Sequence, residues 1–170
     1  WQLNWTMDKL AQLALTLGAD VPACLYSRPL RMRGIGDWIE VFGDMPPLYG
    51  VIANGGVPVA TADVFKAFDK GGPALLSEST PDLAALPAWL ADEPNDLQSA
   101  AIAVAPDIAR TLEVLAATGR PSLVRMSGSG ASCFSLYNSL DEAQQAAAML
   151  NAALPDWTIV PVRLGEGHHV

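Results

Sequence analysis

Basic residues are scarce in this sequence. Its 170 residues include 10 lysines and arginines against 18 aspartates and glutamates, which gives a formal net charge of −8. The basic residues are dispersed along the chain and form no cluster. Nucleic acids and anionic membrane surfaces bind proteins through concentrated positive charge, so the sequence argues against both kinds of partner.

Cysteine and histidine are also rare. Cys24 and Cys133 are far apart, and His168 and His169 are adjacent in the tail. This spacing argues against a structural zinc site, and we expect no metal ligands of that kind. Two cysteines without a secretion signal are typical of a reducing compartment, so we expect a cytoplasmic location. A long apolar run that would span a bilayer is absent from the sequence.

Extended and helical patterns alternate from residue 48 onward. We predict strands at 48–53, 122–126, 132–137 and 157–163, and helices at 62–68, 83–90, 95–104, 106–117 and 141–153. The order strand, helices, strand, strand, helix, strand is that of a split βαβ unit. The predicted fold class is therefore α+β, a ferredoxin-like domain with a four-stranded antiparallel sheet and helices on one face. Because enzymes, carriers and regulatory domains share this fold, it does not decide function.

A single carboxylate stands out near the start of the chain. Apolar spacing predicts a helix over residues 7–17 that Gly18 ends. Asp20 follows, and then Pro22, which cannot continue a helix. An aspartate in this setting is ordinarily a turn residue that accepts local N–H bonds. The functional alternative is a carboxylate held rigidly at the floor of a cleft, and the segment alone leaves both open.

A hairpin is predicted next. Two short extended segments, residues 28–33 and 38–42, flank the turn sequence at residues 34–37. Arg31 and Arg33 alternate along the first strand, and we expect them on a solvated face rather than at a phosphate.

Ser127-Gly128-Ser129-Gly130 lies between two predicted strands. Glycine tolerates positive φ and allows a ligand to approach the backbone, so such a loop can turn its N–H groups toward an anion. The simpler interpretation is a tight hairpin. A lone Gly-Ser-Gly sequence is weak evidence, and this segment does not decide between the two.

Thr61 is predicted to cap the helix at 62–68, which carries Phe65 and Phe68. The ordinary explanation for two phenylalanines three residues apart is core packing. We retain that explanation for Phe68.

Five segments in order along the chain resemble motifs of the GHMP kinases. They are Leu17-Gly18-Ala19-Asp20-Val21-Pro22, Gly34-Ile35-Gly36-Asp37, Gly56-Val57-Pro58-Val59-Ala60-Thr61-Ala62-Asp63-Val64-Phe65, Asn95-Asp96-Leu97 followed by Pro106, and Arg125-Met126-Ser127-Gly128-Ser129-Gly130. Two departures from the family pattern are Asp37, where Glu is usual, and Gly55, where Pro is usual. Neither position carries the chemistry.

The resemblance implies ATP-dependent phosphorylation, with Mg²⁺, of a hydroxyl on a cytidine-diphosphate-linked methylerythritol. It implies that Asp20 is the catalytic carboxylate and that Thr61 and Phe65 line the substrate site, with the Phe65 ring stacked on cytosine. Base–aromatic stacking contributes about 1–3 kcal/mol. The resemblance also implies that the loop formed by Ser127, Gly128, Ser129 and Gly130 lies beside the ATP phosphates.

Two parts of the family pattern are missing from these residues: the main Gly-rich ATP loop and an N-terminal lysine. The sequence also opens at Trp1 without an initiator methionine. We therefore expect residues 1–27 to be a piece of the catalytic domain and residues 28–170 to be the GHMP kinase C-terminal domain. We expect the complete enzyme to be active and this chain by itself neither to bind ATP tightly nor to turn over.

Two rival interpretations remain. One is another GHMP kinase that acts on homoserine or a mevalonate-type alcohol. The other is a non-catalytic ferredoxin-like binding module, in which Asp20 is a turn residue and residues 128–130 form a plain hairpin. The sequence upstream of this chain would distinguish them, because a Gly-rich ATP loop there identifies a kinase.

Overall fold

The computed structural model describes residues 4–68 and 81–165. These residues fall into two compact units. One comprises residues 4–46 with Gly165, and the other comprises residues 47–68 and 81–164. The sequence analysis placed a boundary after residue 27, whereas the structure groups the following hairpin with the first unit.

The first unit begins with helix α1, Met7–Leu15. Thr6 caps the helix, because its side-chain oxygen accepts a hydrogen bond from the Lys9 N–H. The helix ends at Leu15, before the predicted stop at Gly18.

A second helix, α2, follows at Val21–Tyr26. The sequence analysis did not predict it, because Pro22 was taken only as a helix breaker. Pro22 lies in the first turn of α2, where backbone N–H groups have no intrahelical acceptor and the missing N–H costs nothing. Asp20 therefore immediately precedes a helix instead of ending one.

Strands β1, Leu30–Arg33, and β2, Trp38–Val41, form the predicted hairpin, with Arg33 opposite Trp38. The carboxylate of Asp37 accepts a hydrogen bond of 3.1 Å from the Ile35 N–H and so closes the connecting turn.

Gly36 ties this hairpin to the segment before α2. Its φ is +89°, and a Cβ at this position would lie 2.2 Å from the carbonyl oxygen of Ala19. Only glycine permits this approach. The contact explains why the hairpin belongs to the first unit.

Arg31 was predicted to lie on a solvated face, but in the structure its side chain is largely covered. Its side chain is only 12% exposed, lies 3.6 Å from the Glu40 carboxylate and sits over the Phe42 ring at 5.5 Å. The long side chain of arginine packs its apolar stem even where its charge is paired, which strand alternation alone does not reveal.

The second unit is built on a four-stranded sheet. Its strands are β3, Leu48–Asn54; β4, Leu123–Met126; β5, Cys133–Tyr137; and β6, Thr158–Leu164. Their order across the sheet is β4-β5-β3-β6, and every neighbouring pair is antiparallel. This is the split βαβ arrangement that the sequence predicted.

The helices of this unit follow the predicted order. They are α3, Thr61–Phe68; α4, Leu86–Asp92, preceded by a 3₁₀ turn at Leu83–Ala85; α5, Leu97–Val104; α6, Asp107–Ala116; and α7, Leu140–Ala153. None of the helices within residues 4–68 and 81–165 is long and apolar enough to cross a membrane.

The hydrophobic core lies between one face of the sheet and helices α3, α5, α6 and α7. Its fully buried members include Val51, Val64, Ile108, Leu115 and Met126. Burial of such side chains is the main favourable contribution to folding.

Helix α4 packs against strand β4. Arg125 alternates with the core residue Met126 along this strand, and its guanidinium donates a hydrogen bond to the carbonyl of Leu90. Burial lowers the pKa of Arg125, and the nearby Glu93 carboxylate partly offsets this effect.

A buried polar chain crosses the core. The Ser135 hydroxyl donates to the Tyr137 hydroxyl at 3.2 Å, which in turn donates to the Thr118 carbonyl at 2.9 Å. Burial raises the pKa of Tyr137, and the hydrogen bond with Ser135 opposes this shift. Each hydroxyl has a partner, so burying them carries no penalty for an unpaired donor.

The buried thiol of Cys133 generates a pH prediction. Burial raises its pKa from the ordinary 9.0 to about 11. Below pH 9.0 the thiol is protonated whether the chain is folded or unfolded; between pH 9.0 and about 11 only the unfolded chain loses the proton. We expect the free energy of unfolding to fall across this interval, and to fall less in the Cys133→Ala variant. Denaturant unfolding at closely spaced pH values measures both slopes, and equal slopes would contradict the prediction.

Candidate functional site

The Gly-Ser-Gly loop is a tight hairpin connection between β4 and β5. The Ser127 N–H donates to the Ser132 carbonyl at 2.9 Å, and the Gly130 N–H donates to the Ser127 carbonyl at 3.0 Å. The φ angles of Gly128 and Gly130 are +54° and +88°, in the left-handed region that favours glycine.

The two glycines have different surroundings. A Cβ on Gly128 would meet no atom within 4 Å, whereas one on Gly130 would lie 3.0 Å from the Met126 sulfur and 3.1 Å from Ile108. Gly130 is therefore required for packing over the core. Gly128 leaves the backbone open to a ligand.

The tip of this loop presents unused hydrogen-bond donors. Within the part of the chain that the structure describes, the amide N–H groups of Gly128 and Ser129 have no acceptor. Adjacent backbone N–H groups in a turn favour anions because each carries a partial positive charge. The geometry thus combines the two interpretations of the segment: the loop is a hairpin turn, and its tip can receive an anion.

Asn95 holds the loop from the side of α5. Its Nδ2 donates to the carbonyls of Met126 and Gly128, both at 2.9 Å. Its Oδ1 accepts from the Leu97 N–H at 3.0 Å, which fixes the orientation of the side-chain amide. From the sequence, Asn95 was placed at the start of a helix and in one of the five motif segments, without a role for its side chain. An asparagine before a helix is the available signal, but it does not reveal contacts to a strand end far along the chain.

Two further amide side chains hold the ends of the loop, and the sequence analysis missed both. The Nδ2 of Asn54 donates to the Ser132 hydroxyl at 2.9 Å, while its Oδ1 accepts from the Gly56 N–H at 2.8 Å. The Oε1 of Gln98 accepts from the Met126 N–H at 3.1 Å. The backbone on both sides of the loop is therefore held by side chains from other elements.

Thr61 is the first residue of α3 and not its cap, so that prediction was wrong. The Ala60 carbonyl accepts the first helical bonds, from the N–H groups of Asp63 and Val64. The Thr61 hydroxyl is instead hydrogen-bonded to the Ser129 hydroxyl, with the two oxygens 3.0 Å apart. The structure thus joins a predicted substrate residue to the predicted phosphate loop.

Phe65 and Phe68 differ in burial. The Phe65 side chain is 52% exposed, whereas Phe68 packs against the core beside the fully buried Val64. Phe65 is four residues after Thr61, so both side chains lie on the same face of α3. An exposed ring therefore stands one helical turn from the Thr61 contact.

Asp20 belongs to the first unit. It occupies the N-cap position of α2, with φ −85° and ψ −14°, and its side chain makes no capping hydrogen bond. The side chain is exposed. The local N–H bonds of an ordinary turn aspartate are absent here within the described residues, so the carboxylate is free for other contacts.

Metal ligands do not cluster in the described ranges. Residues 4–68 and 81–165 contain no group of three or more His, Cys, Asp or Glu side chains arranged to hold an ion. His168 and His169 lie outside the described residues. The described residues therefore provide no cage of protein ligands around an ion.

Comparison with known families identifies the chain. Residues 65–156 match the family model described as "GHMP kinases C terminal", which covers more than half of the sequence. The chain belongs to the GHMP kinase family. The resemblance inferred from its motifs is therefore confirmed.

Two similar proteins carry the same name. The GHMP kinase chain is 45% identical, over 91% of its length, to a protein of Cereibacter sphaeroides (strain ATCC 17025) named 4-diphosphocytidyl-2-C-methyl-D-erythritol kinase, of which it covers 57%. It is 44% identical, over 88% of its length, to a protein of the same name from Parvibaculum lavamentivorans, of which it covers 53%. The chain thus spans little more than half of these curated relatives.

A solved structure has a similar fold. The crystal structure of a 4-(cytidine 5′-diphospho)-2C-methyl-D-erythritol kinase matches 93% of the GHMP kinase chain with a TM-score of 0.73 and 32% sequence identity. The match covers 57% of that kinase. The fold of this chain is therefore that of a known GHMP kinase over nearly its whole length.

The bonds of Asn95 generate a prediction about the loop. Asn95→Ala removes both bonds to the carbonyls of Met126 and Gly128 and also the bond from the Leu97 N–H, and we expect it to lower the free energy of unfolding by about 1–3 kcal/mol. Faster amide hydrogen exchange in residues 127–132 should accompany this loss. The exposed Asn138 provides the matched control, since Asn138→Ala leaves the loop bonds intact. Equal stability losses in the two variants would contradict the assignment.

Proposed function

We propose that the protein containing this chain is a kinase that transfers the γ-phosphoryl group of ATP to a hydroxyl of 4-diphosphocytidyl-2-C-methyl-D-erythritol. The observation that carries this proposal is the 45% identity, over 91% of the chain, to a relative of that name. The solved kinase that matches 93% of the chain supports the same substrate class.

The proposed reaction assigns a role to Asp20. The acceptor hydroxyl oxygen forms a bond to the γ-phosphorus, the bond from that phosphorus to the β–γ bridging oxygen breaks, and ADP leaves. The hydroxyl proton goes to the carboxylate of Asp20. Such a group must lie within hydrogen-bond reach of the hydroxyl and must not be engaged elsewhere. The exposed Asp20 side chain, which makes no capping bond, fits the second requirement.

The Gly-Ser-Gly loop is proposed to contact the ATP phosphates. The chain has a net charge of −8, so its overall field repels a polyphosphate. Binding must therefore come from local donors, and the unpaired N–H groups of Gly128 and Ser129 are of that kind. Phosphoryl transfer depends chiefly on positioning and on neutralising negative charge. Magnesium supplies part of that neutralisation when it is bound, and we assign no residue of this chain to it.

Phe65 is proposed to bind the cytosine ring. Its exposed aromatic face lies on the side of α3 that also carries Thr61. An exposed ring beside a proposed phosphate site suits a nucleotide-linked substrate, because bases stack on aromatic side chains.

Two further assignments concern the domains of the kinase and its location. We infer that residues 1–27 belong to the catalytic domain and that the rest of the chain forms the C-terminal domain of the kinase. We infer a cytoplasmic location from the reduced cysteines, Cys24 and Cys133.

The test of the proposed function uses the full-length protein with ATP, Mg²⁺ and one acceptor at a time. We expect formation of ADP and a phosphorylated product with 4-diphosphocytidyl-2-C-methyl-D-erythritol, and much slower turnover with homoserine or mevalonate. Equal or faster turnover with either of those alcohols would overturn the assignment of the substrate.

Asp20→Asn in the full-length protein should lower kcat by about 10²- to 10⁴-fold, because the amide cannot accept the hydroxyl proton. The overall fold and the affinity for ATP should change little, since the Asp20 side chain makes no capping bond. Steady-state kinetics and a thermal unfolding curve test both expectations. Asp44→Asn, a change at another exposed aspartate of the same unit, is the matched control. Near-native turnover in Asp20→Asn would contradict the catalytic role proposed for this carboxylate.

Phe65→Ala should raise the KM for the cytidine-linked substrate by about 5- to 100-fold, because one stacking contact is lost. The KM for ATP should change far less. Stability should change little, because an exposed ring leaves no internal cavity. Phe68→Ala is the paired variant, and its expected cost is up to about 3 kcal/mol of unfolding free energy. A large stability loss in Phe65→Ala together with an unchanged KM would place the cytosine site elsewhere.

A further inference from the structure

The hydroxyls of Thr61 and Ser129 form a contact between two parts of the proposed site. Thr61 begins α3, the helix that carries Phe65, and Ser129 lies at the tip of the Gly-Ser-Gly loop, 68 residues later. The two oxygens are 3.0 Å apart. We call this contact the Thr61–Ser129 pair.

Neither hydroxyl serves its own element. The first helical bonds of α3 go to the Ala60 carbonyl, so Thr61 is not needed as a cap. The turn of the loop is closed by backbone groups of Ser127 and Gly130. The Thr61–Ser129 pair therefore joins two elements that are each formed without it.

The pair is also exposed, so its contribution to overall stability is small. Its position gives it a different consequence. The side of the loop toward α5 is held by Asn95 through two bonds of 2.9 Å. On the side toward α3, the loop tip is held by the hydrogen bond of the Thr61–Ser129 pair. The position of the loop tip relative to α3 thus depends on this pair.

Phe65 shares a face of α3 with Thr61. A displacement of the loop tip that moves Thr61 also moves the start of the helix that presents the ring. The other face of α3 is anchored by the fully buried Val64, and α3 packs against α5. The helix is therefore held by packing on its core side, whereas Thr61 and Phe65 lie on its exposed side.

We propose that the Thr61–Ser129 pair is a positioning contact that couples binding of nucleotide phosphates at the loop to binding of the cytidine-linked acceptor beside Phe65. This inference rests on the proposed function. Phosphates that order the loop tip fix Thr61, and Thr61 fixes the start of α3 in the orientation that receives the acceptor. Coupling of this kind is reciprocal, so each ligand raises the affinity for the other by the same factor.

The test measures that factor in the full-length protein. Calorimetry gives the Kd of 4-diphosphocytidyl-2-C-methyl-D-erythritol with and without AMP-PNP and Mg²⁺, and the ratio is the coupling factor. We expect the factor to be at least about three to ten in the native protein, the range that one neutral hydrogen bond supplies. Thr61→Val and Ser129→Ala should each lower it by about three- to tenfold, the range for loss of one neutral hydrogen bond. The double variant should lower it no further than either single variant, because all three lack the same contact.

Two controls separate coupling from structure. Thr61→Ser keeps the hydroxyl and should keep the native factor, with thermal unfolding unchanged in every variant. Ser127 lies in the same loop but outside the pair, so the effects of Ser127→Ala and Thr61→Val on the factor should multiply.

The outcomes are distinguishable. A native coupling factor of one, multiplying effects in Thr61→Val/Ser129→Ala, or a Thr61→Ser variant that behaves like Thr61→Val would each overturn the inference while leaving a working kinase. Failure of the native protein to phosphorylate the acceptor would instead overturn the proposed function.

Discussion

The carbonyls of Met126 and Gly128 both accept hydrogen bonds from the side-chain amide of Asn95, at 2.9 Å each. This convergence fixes the end of strand β4 and the first glycine of the loop at once. A left-handed glycine is costly to hold in one conformation, because it has more backbone freedom to lose than any other residue. The two bonds offset that cost, and the N–H groups of Gly128 and Ser129 at the loop tip have no acceptor within the described residues.

The acidity of the chain gives those N–H groups their importance. With a net charge of −8, this chain by itself does not attract a polyphosphate through its overall field. Backbone donors bring partial positive charge to one place without adding a basic residue, and they are already oriented when a ligand arrives. The packing of Gly130 against Met126 and Ile108 connects that orientation to the core.

Much of the fold was predictable because it depends on neighbours in sequence. Period-two and period-3.6 patterns located strands β3 to β6 and helix α7 within a few residues. The same local logic failed at Pro22, where a helix begins around the proline instead of ending before it. It failed again at Arg31, which lies over the Phe42 ring and pairs with the Glu40 carboxylate of the facing strand.

The sequence by itself determined the order of the elements from β3 onward, the kinase family and the Gly-Ser-Gly segment as a candidate site, because each is carried by residues adjacent in the chain. Only the tertiary structure decided what holds that segment. Asn95 and Thr61 both lie at helix starts, where sequence predicts a capping role, yet their side chains bond to the loop 31 to 68 residues away. Asn95 makes these bonds in addition to its local bond with the Leu97 N–H, and the packing of the sheet and helices brings the distant partners within reach, which no local pattern encodes.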